Sequence, residues 1–165
     1  ILTLFFCISL FISNAQIETP QASPTCEISQ MVGTSKISIT YSRPGVKNRV
    51  VFGELVPYNK IWRTGANKAT KISFSKDVKI GGKDLAAGDY SLFTIPSSDG
   101  DWTIIINSAR NIWGSYYYKK DQDVIRVPGK VSKSVENIEA FSMIFDKDMT
   151  LKMGWGNIVI SVSVE

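Results

Sequence analysis

Several short runs of this sequence alternate between apolar and polar residues, which is the pattern of a β-strand with one buried face. Residues 37–42, 71–75 and 140–145 show the alternation, whereas residues 90–95 and 102–106 are apolar on both faces, as in a central strand. No window carries a long helical period with capping residues. The sequence therefore predicts an all-β chain of about nine strands, folded as a single antiparallel two-sheet β-sandwich, with a closed β-barrel as the alternative.

Two glycine-containing dipeptides predict hairpins. Residues 149–155 and 158–164 alternate on either side of Gly156-Asn157, and a tight two-residue turn there would pair apolar residues throughout, Leu151 with Val162 among them. In the same way, Gly81-Gly82 predicts a second hairpin that sets Lys79 opposite Asp84 and Val78 opposite Leu85.

The beginning of the chain predicts export. Residues 1–16 are apolar and uncharged and lead to Ser13-Asn14-Ala15, small residues of the kind that a signal peptidase reads. We therefore expect residues 1–15 to be a cleaved signal peptide with a truncated start, because Met and a basic segment are missing. Residues 16–24 are predicted to be a flexible lead and residues 25–165 one β domain. The mature chain would be periplasmic or secreted, without a membrane span.

Composition excludes several kinds of chemistry. The sequence has no histidine, so catalytic triads that need histidine and most catalytic zinc sites are ruled out. Cleavage after Ala15 would leave Cys26 as a lone thiol with no histidine to activate it. The sequence also lacks a metal motif and a serine nucleophile elbow. The net charge of +4 is modest, so nucleic-acid binding is not expected. No cofactor and no metal are predicted.

A long irregular loop at about residues 43–67 interrupts the strand pattern. Pro44 and Pro57 oppose continuous strand pairing, and the segment concentrates arginine and aromatic side chains. Arginine forks suit carboxylate, phosphate or sulfate, and aromatic faces suit a sugar ring or a guanidinium. An alternative role for the same arginines is to fix the loop by bonding backbone carbonyls or Glu54. The predicted ligand-binding residues are Tyr41, Arg43, Arg49, Glu54, Trp62, Arg63 and Asn67.

The same loop resembles a known family. Tyr41-Ser42-Arg43-Pro44, Phe52-Gly53, Leu55-Val56-Pro57-Tyr58 and Trp62-Arg63-Thr64-Gly65-Ala66-Asn67 are similar to the signature of the DUF2911 family, and the resemblance continues through residues 80–96 to about Trp155. That family comprises bacterial exported proteins of unknown function that are common in the Bacteroidetes. The resemblance implies one exported all-β domain and supplies no activity, substrate or cofactor.

Three functions follow as hypotheses. The first is a non-catalytic exported domain that binds a small anionic or polar ligand, or an envelope component, through the Arg43–Asn67 loop. The second is an envelope hydrolase in which Glu54 acts as the acid and the arginines stabilise an oxyanion. The third is a purely structural domain. The missing histidines and motifs favour the first and argue against an enzyme. Outside the loop, Tyr116-Tyr117-Tyr118-Lys119-Lys120 could suit a glycan or a peptide, but a surface loop with a packed aromatic residue is the favoured interpretation.

Overall fold

The computed structural model describes residues 20–165, and the predicted signal peptide lies outside them. In this part of the chain the only helix is a single 3-10 turn at Lys120–Gln122, so the all-β class is confirmed. The nine strands are β1 (Thr25–Val32), β2 (Ser35–Ser42), β3 (Thr70–Phe74), β4 (Val78–Ile80), β5 (Lys83–Leu85), β6 (Gly88–Ile95), β7 (Trp102–Asn107), β8 (Asp123–Phe145) and β9 (Thr150–Ser163).

Seven strands form one large antiparallel sheet in the order β1-β2-β3-β6-β7-β8-β9, and β4 and β5 form a small sheet of their own. The large sheet is curled like half a barrel. The curl follows from the lengths of β8 and β9, which have 23 and 14 residues. Strands this long twist strongly, and the register shifts between them bend the sheet further.

The alternating runs bury the residues that the pattern predicts. Ile37 and Ile39 of β2 are fully buried, and Ile72 of β3 packs beside them because Ile39 pairs with Ile72. Ile104, Ile105 and Ile106 of β7 are all buried, as expected for a central strand covered on both faces. The Gly81-Gly82 hairpin is also confirmed: Lys79 lies opposite Asp84 and Val78 opposite Leu85.

The predicted C-terminal hairpin is wrong. Strand β9 passes through Gly156-Asn157 without forming a tight turn, and Leu151 pairs with Phe145 of β8 instead of Val162. The outermost predicted pair is the exception, because Val164 N donates to the carbonyl of Met149 at 3.2 Å. The apolar residues change from odd to even positions at Gly156, a glycine with a positive φ of 61°. A β-bulge adds one extra residue to a strand, so the apolar side chains beyond it move from odd to even positions and still face the core. A turn at the same place would give the same shift in the sequence pattern. The chain turns before β9 instead, at residues 146–149.

Candidate functional site

An irregular connection joins β2 to β3, as the sequence predicted for residues 43–67. It contains isolated bridges instead of regular strands, and one of these bridges fixes it to the large sheet. The backbone N–H and C=O of Trp62 exchange hydrogen bonds with those of Thr94 in β6, at 2.8 and 2.9 Å. Asn59, Thr64 and Asn67 have positive φ angles, a conformation that asparagine tolerates better than most residues. The loop is thus a defined structure that crosses one end of the sheet.

Trp62 anchors this loop instead of offering a free stacking face. Its ring is only 6% exposed and stacks on Trp155, with ring centroids 5.8 Å apart. The rings of Phe52, Trp102 and Phe141 pack edge-on against it. The indole Nε1–H of Trp62 donates to the carbonyl of Gly65 at 3.0 Å. Buried aromatic clusters of this kind stabilise a loop through area and edge-to-face geometry, so the ring of Trp62 belongs to the core.

Tyr41 and Arg43 tie the start of the loop to β8. The Tyr41 hydroxyl accepts a hydrogen bond from the backbone N–H of Met143 at 3.0 Å, and burial raises the pKa of this hydroxyl. Arg43 donates from Nε to the carbonyl of Phe141 at 3.1 Å and from Nη2 to Ser142 Oγ at 2.8 Å. The guanidinium of Arg43 therefore has protein partners, and it fixes the loop, which is the alternative role considered for the loop arginines.

Arg49 and Glu54 lie on the exposed part of the loop. Arg49 donates to the carbonyls of Val46 and Gly45, at 3.1 and 2.6 Å, which closes a local turn. Glu54 is exposed, and among the described residues it forms no ion pair with any of the three loop arginines. The structure therefore does not bring Glu54 together with Arg63 as a catalytic pair.

Arg63 lines a cavity of about 400 Å³, here called the Arg63 cavity. Pockets that hold small molecules begin at roughly 300 Å³. The predicted residues Arg49, Trp62, Arg63 and Asn67 line it together, and Tyr41, Arg43 and Glu54 do not. Lys60 adds a third cation, and none of the described lining residues is Asp or Glu. Three cations without a carboxylate make a local positive field that favours an anion.

Two residues that line this cavity each carry a buried N–H donor without a hydrogen-bond partner within residues 20–165. The donors are Nε of Arg63 and Nε1 of Trp155. An unsatisfied buried donor costs on the order of 1–3 kcal/mol, so native proteins rarely keep one without a reason. Arg63 also differs from Arg43 and Arg49 in forming no side-chain hydrogen bond with any described residue.

Asn67 connects three segments at the edge of the cavity. The side-chain Nδ2 of Asn67 donates to the carbonyl of Ser23 and to the hydroxyl of Ser42, each at 3.4 Å. The backbone carbonyl of Asn67 accepts from Gly114 N at 3.0 Å. Residues of the predicted flexible lead are thereby drawn into the wall. Asn67 thus holds these segments in place, and its left-handed backbone conformation directs the chain between them.

Lys60, Ser115 and Trp155 are lining residues that the sequence did not predict as part of a site. Lys60 lies inside the predicted loop, so its charge was a usable signal. Trp155 and Ser115 come from β9 and from the connection after β7, and only the packed fold brings them to the loop. The structure also gives roles to other acidic residues: Asp146 caps the turn before β9, and Asp123 bonds Arg126 and Tyr118. Within residues 20–165, no three His, Cys, Asp or Glu side chains cluster as metal ligands.

Comparisons with known proteins place the chain in one family. Residues 23–164 match the family model described as "Protein of unknown function (DUF2911)", nearly all of the described chain. No curated protein and no solved structure matches significantly. No helix among residues 20–165 has the length and apolar character needed to cross a membrane.

Proposed function

The chain belongs to the DUF2911 family, and on that premise we propose that it is a non-catalytic exported domain that binds a small oxyanion in the Arg63 cavity. One observation carries the proposal: Arg49, Lys60 and Arg63 line the cavity without a carboxylate, and the Arg63 side chain forms no hydrogen bond within residues 20–165. Phosphate, sulfate and carboxylate all present acceptor oxygens that a guanidinium binds. The hydrolase alternative is weaker because Glu54 does not line this cavity.

Thermal melts with sodium phosphate test the proposal, with sodium chloride at the same ionic strength as the reference. A ligand that binds only the folded protein adds about 1.4 kcal/mol of stability at ten times its Kd. For a chain of this size that raises Tm by roughly 3–6 °C. We expect the shift in the wild type and its loss in Arg63→Met, which keeps much of the apolar stem and removes the donors.

Arg110→Met is the matched control. Arg110 is an exposed arginine that does not line the cavity, so this variant changes the net charge equally and should keep the full phosphate shift. If the wild type gains nothing over chloride, or if both variants respond alike, the phosphate effect is not located at Arg63 and the proposal fails.

Export is part of the proposed function and rests on the uncharged apolar run that leads to Ser13-Asn14-Ala15. We infer that the mature chain begins at Gln16 and works in the periplasm or outside the cell. Intact-mass measurement on protein recovered outside the cytoplasm should give the mass of residues 16–165. A mass that includes residues 1–15 would rule out cleavage there.

We further infer that the curled sheet is closer to a distorted barrel than to a sandwich. One hydrogen bond supports this: Phe141 N donates to the carbonyl of Pro44 at 2.9 Å. It joins β8 to the continuation of β2, although these strands are far apart in the sheet order. Slow amide exchange at Phe141 is the expected result, since closing bonds of a barrel are protected.

A further inference from the structure

A second cavity, of about 340 Å³, lies on the other side of Asn67, and the proposed oxyanion site does not use it. We call it the Trp113 cavity. It is bounded by residues of β1 and β2, by the end of the long loop and by the connection that follows β7. Its side chains are mostly amides, hydroxyls and amines: Gln21, Thr25, Thr40, Asn67, Lys68 and Asn111 are among them, with Trp113 at one wall.

Trp113 is exposed in a way that core packing does not explain. It is 55% exposed, whereas Trp62, Trp102 and Trp155 are between 2% and 6% exposed. Tyr116 and Tyr117 of the same connection are 85% and 67% exposed. An exposed tryptophan at the wall of a cavity is typical of a binding surface.

The backbone presents the Trp113 ring from a fixed position. Trp113 forms a bridge with Lys68, and hydrogen bonds from Ala69 N to the carbonyl of Ile112 and from Gly114 N to the carbonyl of Asn67 flank it, both at 3.0 Å. The backbone that carries Trp113 is therefore preorganised, which reduces the entropy lost when a ligand binds to this connection.

The chemistry of the lining favours a sugar. An indole face packs against the apolar face of a sugar ring, and amide side chains donate and accept at once, as neighbouring sugar hydroxyls require. Ala69, Tyr41 and Trp113 also line the cavity, and they provide apolar surface beside the polar groups, as the two kinds of face of a sugar ring require.

The charges favour an acidic sugar. Lys68 and Lys71 line the cavity, and none of its described lining residues is Asp or Glu. Lys71 Nζ lies 3.5 Å from Asp89 Oδ1, so the charge of Lys71 is partly neutralised. Lys68 forms no ion pair within residues 20–165. Lys68 is thus the cation available to a carboxylate on the ligand.

We propose that the Trp113 cavity binds a short uronate-containing saccharide, with a sugar ring on the face of Trp113 and a carboxylate at Lys68. The Arg63 cavity is a separate site, although Asn67 lines both. The two proposals can be tested separately, because Trp113 does not line the Arg63 cavity and Arg63 does not line the Trp113 cavity.

The test titrates the purified protein with trigalacturonate, with neutral cellotriose and an acidic tetrapeptide as comparisons. Trp113 is the exposed one of the four tryptophans, so acrylamide quenching of tryptophan fluorescence reports mainly on it. We expect trigalacturonate to protect Trp113 from quenching. By calorimetry, Trp113→Ala should weaken binding roughly tenfold, the scale of one aromatic contact. Lys68→Met should remove the preference for trigalacturonate over cellotriose.

Tyr117→Ala is the control, because Tyr117 is exposed in the same connection but does not line the cavity; it should bind as the wild type does. Arg63→Met should also keep trigalacturonate binding, and Trp113→Ala should keep the phosphate response, which separates failure here from failure of the oxyanion site. The proposal is overturned if trigalacturonate does not bind, if it binds equally well without Trp113, or if cellotriose or the peptide binds the wild type as tightly.

Discussion

Three arginines in one loop have three different environments, and this difference decides what each can do. Arg43 bonds a carbonyl and a hydroxyl of β8, and Arg49 closes a turn within the loop. Arg63 has a buried Nε without a partner. A guanidinium that satisfies protein carbonyls contributes to folding, whereas one without protein partners, on a residue that lines a cavity, is available to a ligand. At the scale of single residues, the binding hypothesis thus depends on Arg63.

Matched substitutions should separate these roles in the absence of ligand. Arg43→Met leaves the carbonyl of Phe141 and the hydroxyl of Ser142 without their donors, so we expect a loss of about 1–3 kcal/mol in the free energy of unfolding. Arg63→Met removes no bond to the described residues and should stay within about 1 kcal/mol of the wild type. Urea melts of both variants measure this. A loss above about 3 kcal/mol for Arg63→Met would make Arg63 a structural residue.

At the scale of elements, β8 and β9 determine the shape of the sheet. Their register places Ile144 opposite Lys152 and Lys130 opposite Ser161, with irregularities between residues 133 and 142. Trp155 lies in the middle of β9, where the strand bends, and its ring reaches both the aromatic cluster around Trp62 and the Arg63 cavity. The bend of β9 is therefore what brings a core residue to the candidate site.

Paired cysteines distinguish this register from the tight hairpin that the sequence predicts. With both native cysteines replaced, Ile144→Cys with Lys152→Cys should form a disulfide, because the two positions are directly opposed. Lys152→Cys with Ser161→Cys is the pair that the tight hairpin would bring together, and it should stay reduced. Thiol counting after mild oxidation measures both. Efficient cross-linking of the second pair and not the first would show that β9 folds back on itself.

Asp146 should make the turn before β9 sensitive to acid. Its carboxylate accepts from Lys152 Nζ at 2.9 Å and from the backbone N–H groups of Thr150 and Asp148, each at 3.0 Å. The bond from Lys152, together with these backbone donors, holds the pKa of Asp146 below its ordinary value. A lowered folded-state pKa stabilises the protein above the unfolded value, about 3.9, and this contribution is lost as pH falls through the folded value.

Asp146→Asn should consequently be less stable than the wild type at about pH 6, and the difference should shrink towards about pH 3. Thermal melts across this range provide the measurement. Asp148→Asn, at an exposed position in the same turn, serves as the control and should show little difference at either pH. A gap for Asp146→Asn that widens as the pH falls would contradict the sign of the shift.

At the scale of the whole molecule, local patterns predicted the strands and the position of the loop, but they did not predict what meets the loop. Alternation reports which residues face inward, so β2, β3 and the Gly81-Gly82 hairpin could be placed from sequence. A change of phase at Gly156 fits both a turn and a bulge, and only long-range pairing with β8 decides between them. For the same reason, the sequence could not predict that Trp155 lines the candidate site, since only the folded chain brings Trp155 into contact with the loop.

The most direct test of oxyanion binding is a nitrogen–proton NMR titration with phosphate, in which the side-chain N–H signals are observed individually. We predict saturable shifts of Arg63 Nε and Trp155 Nε1, the two donors that lack protein partners. Trp102 Nε1 already donates to the carbonyl of Ser97 at 3.2 Å, so its signal should stay in place. Phosphate that leaves both Arg63 and Trp155 unmoved, or that moves all side-chain signals alike, would contradict the account.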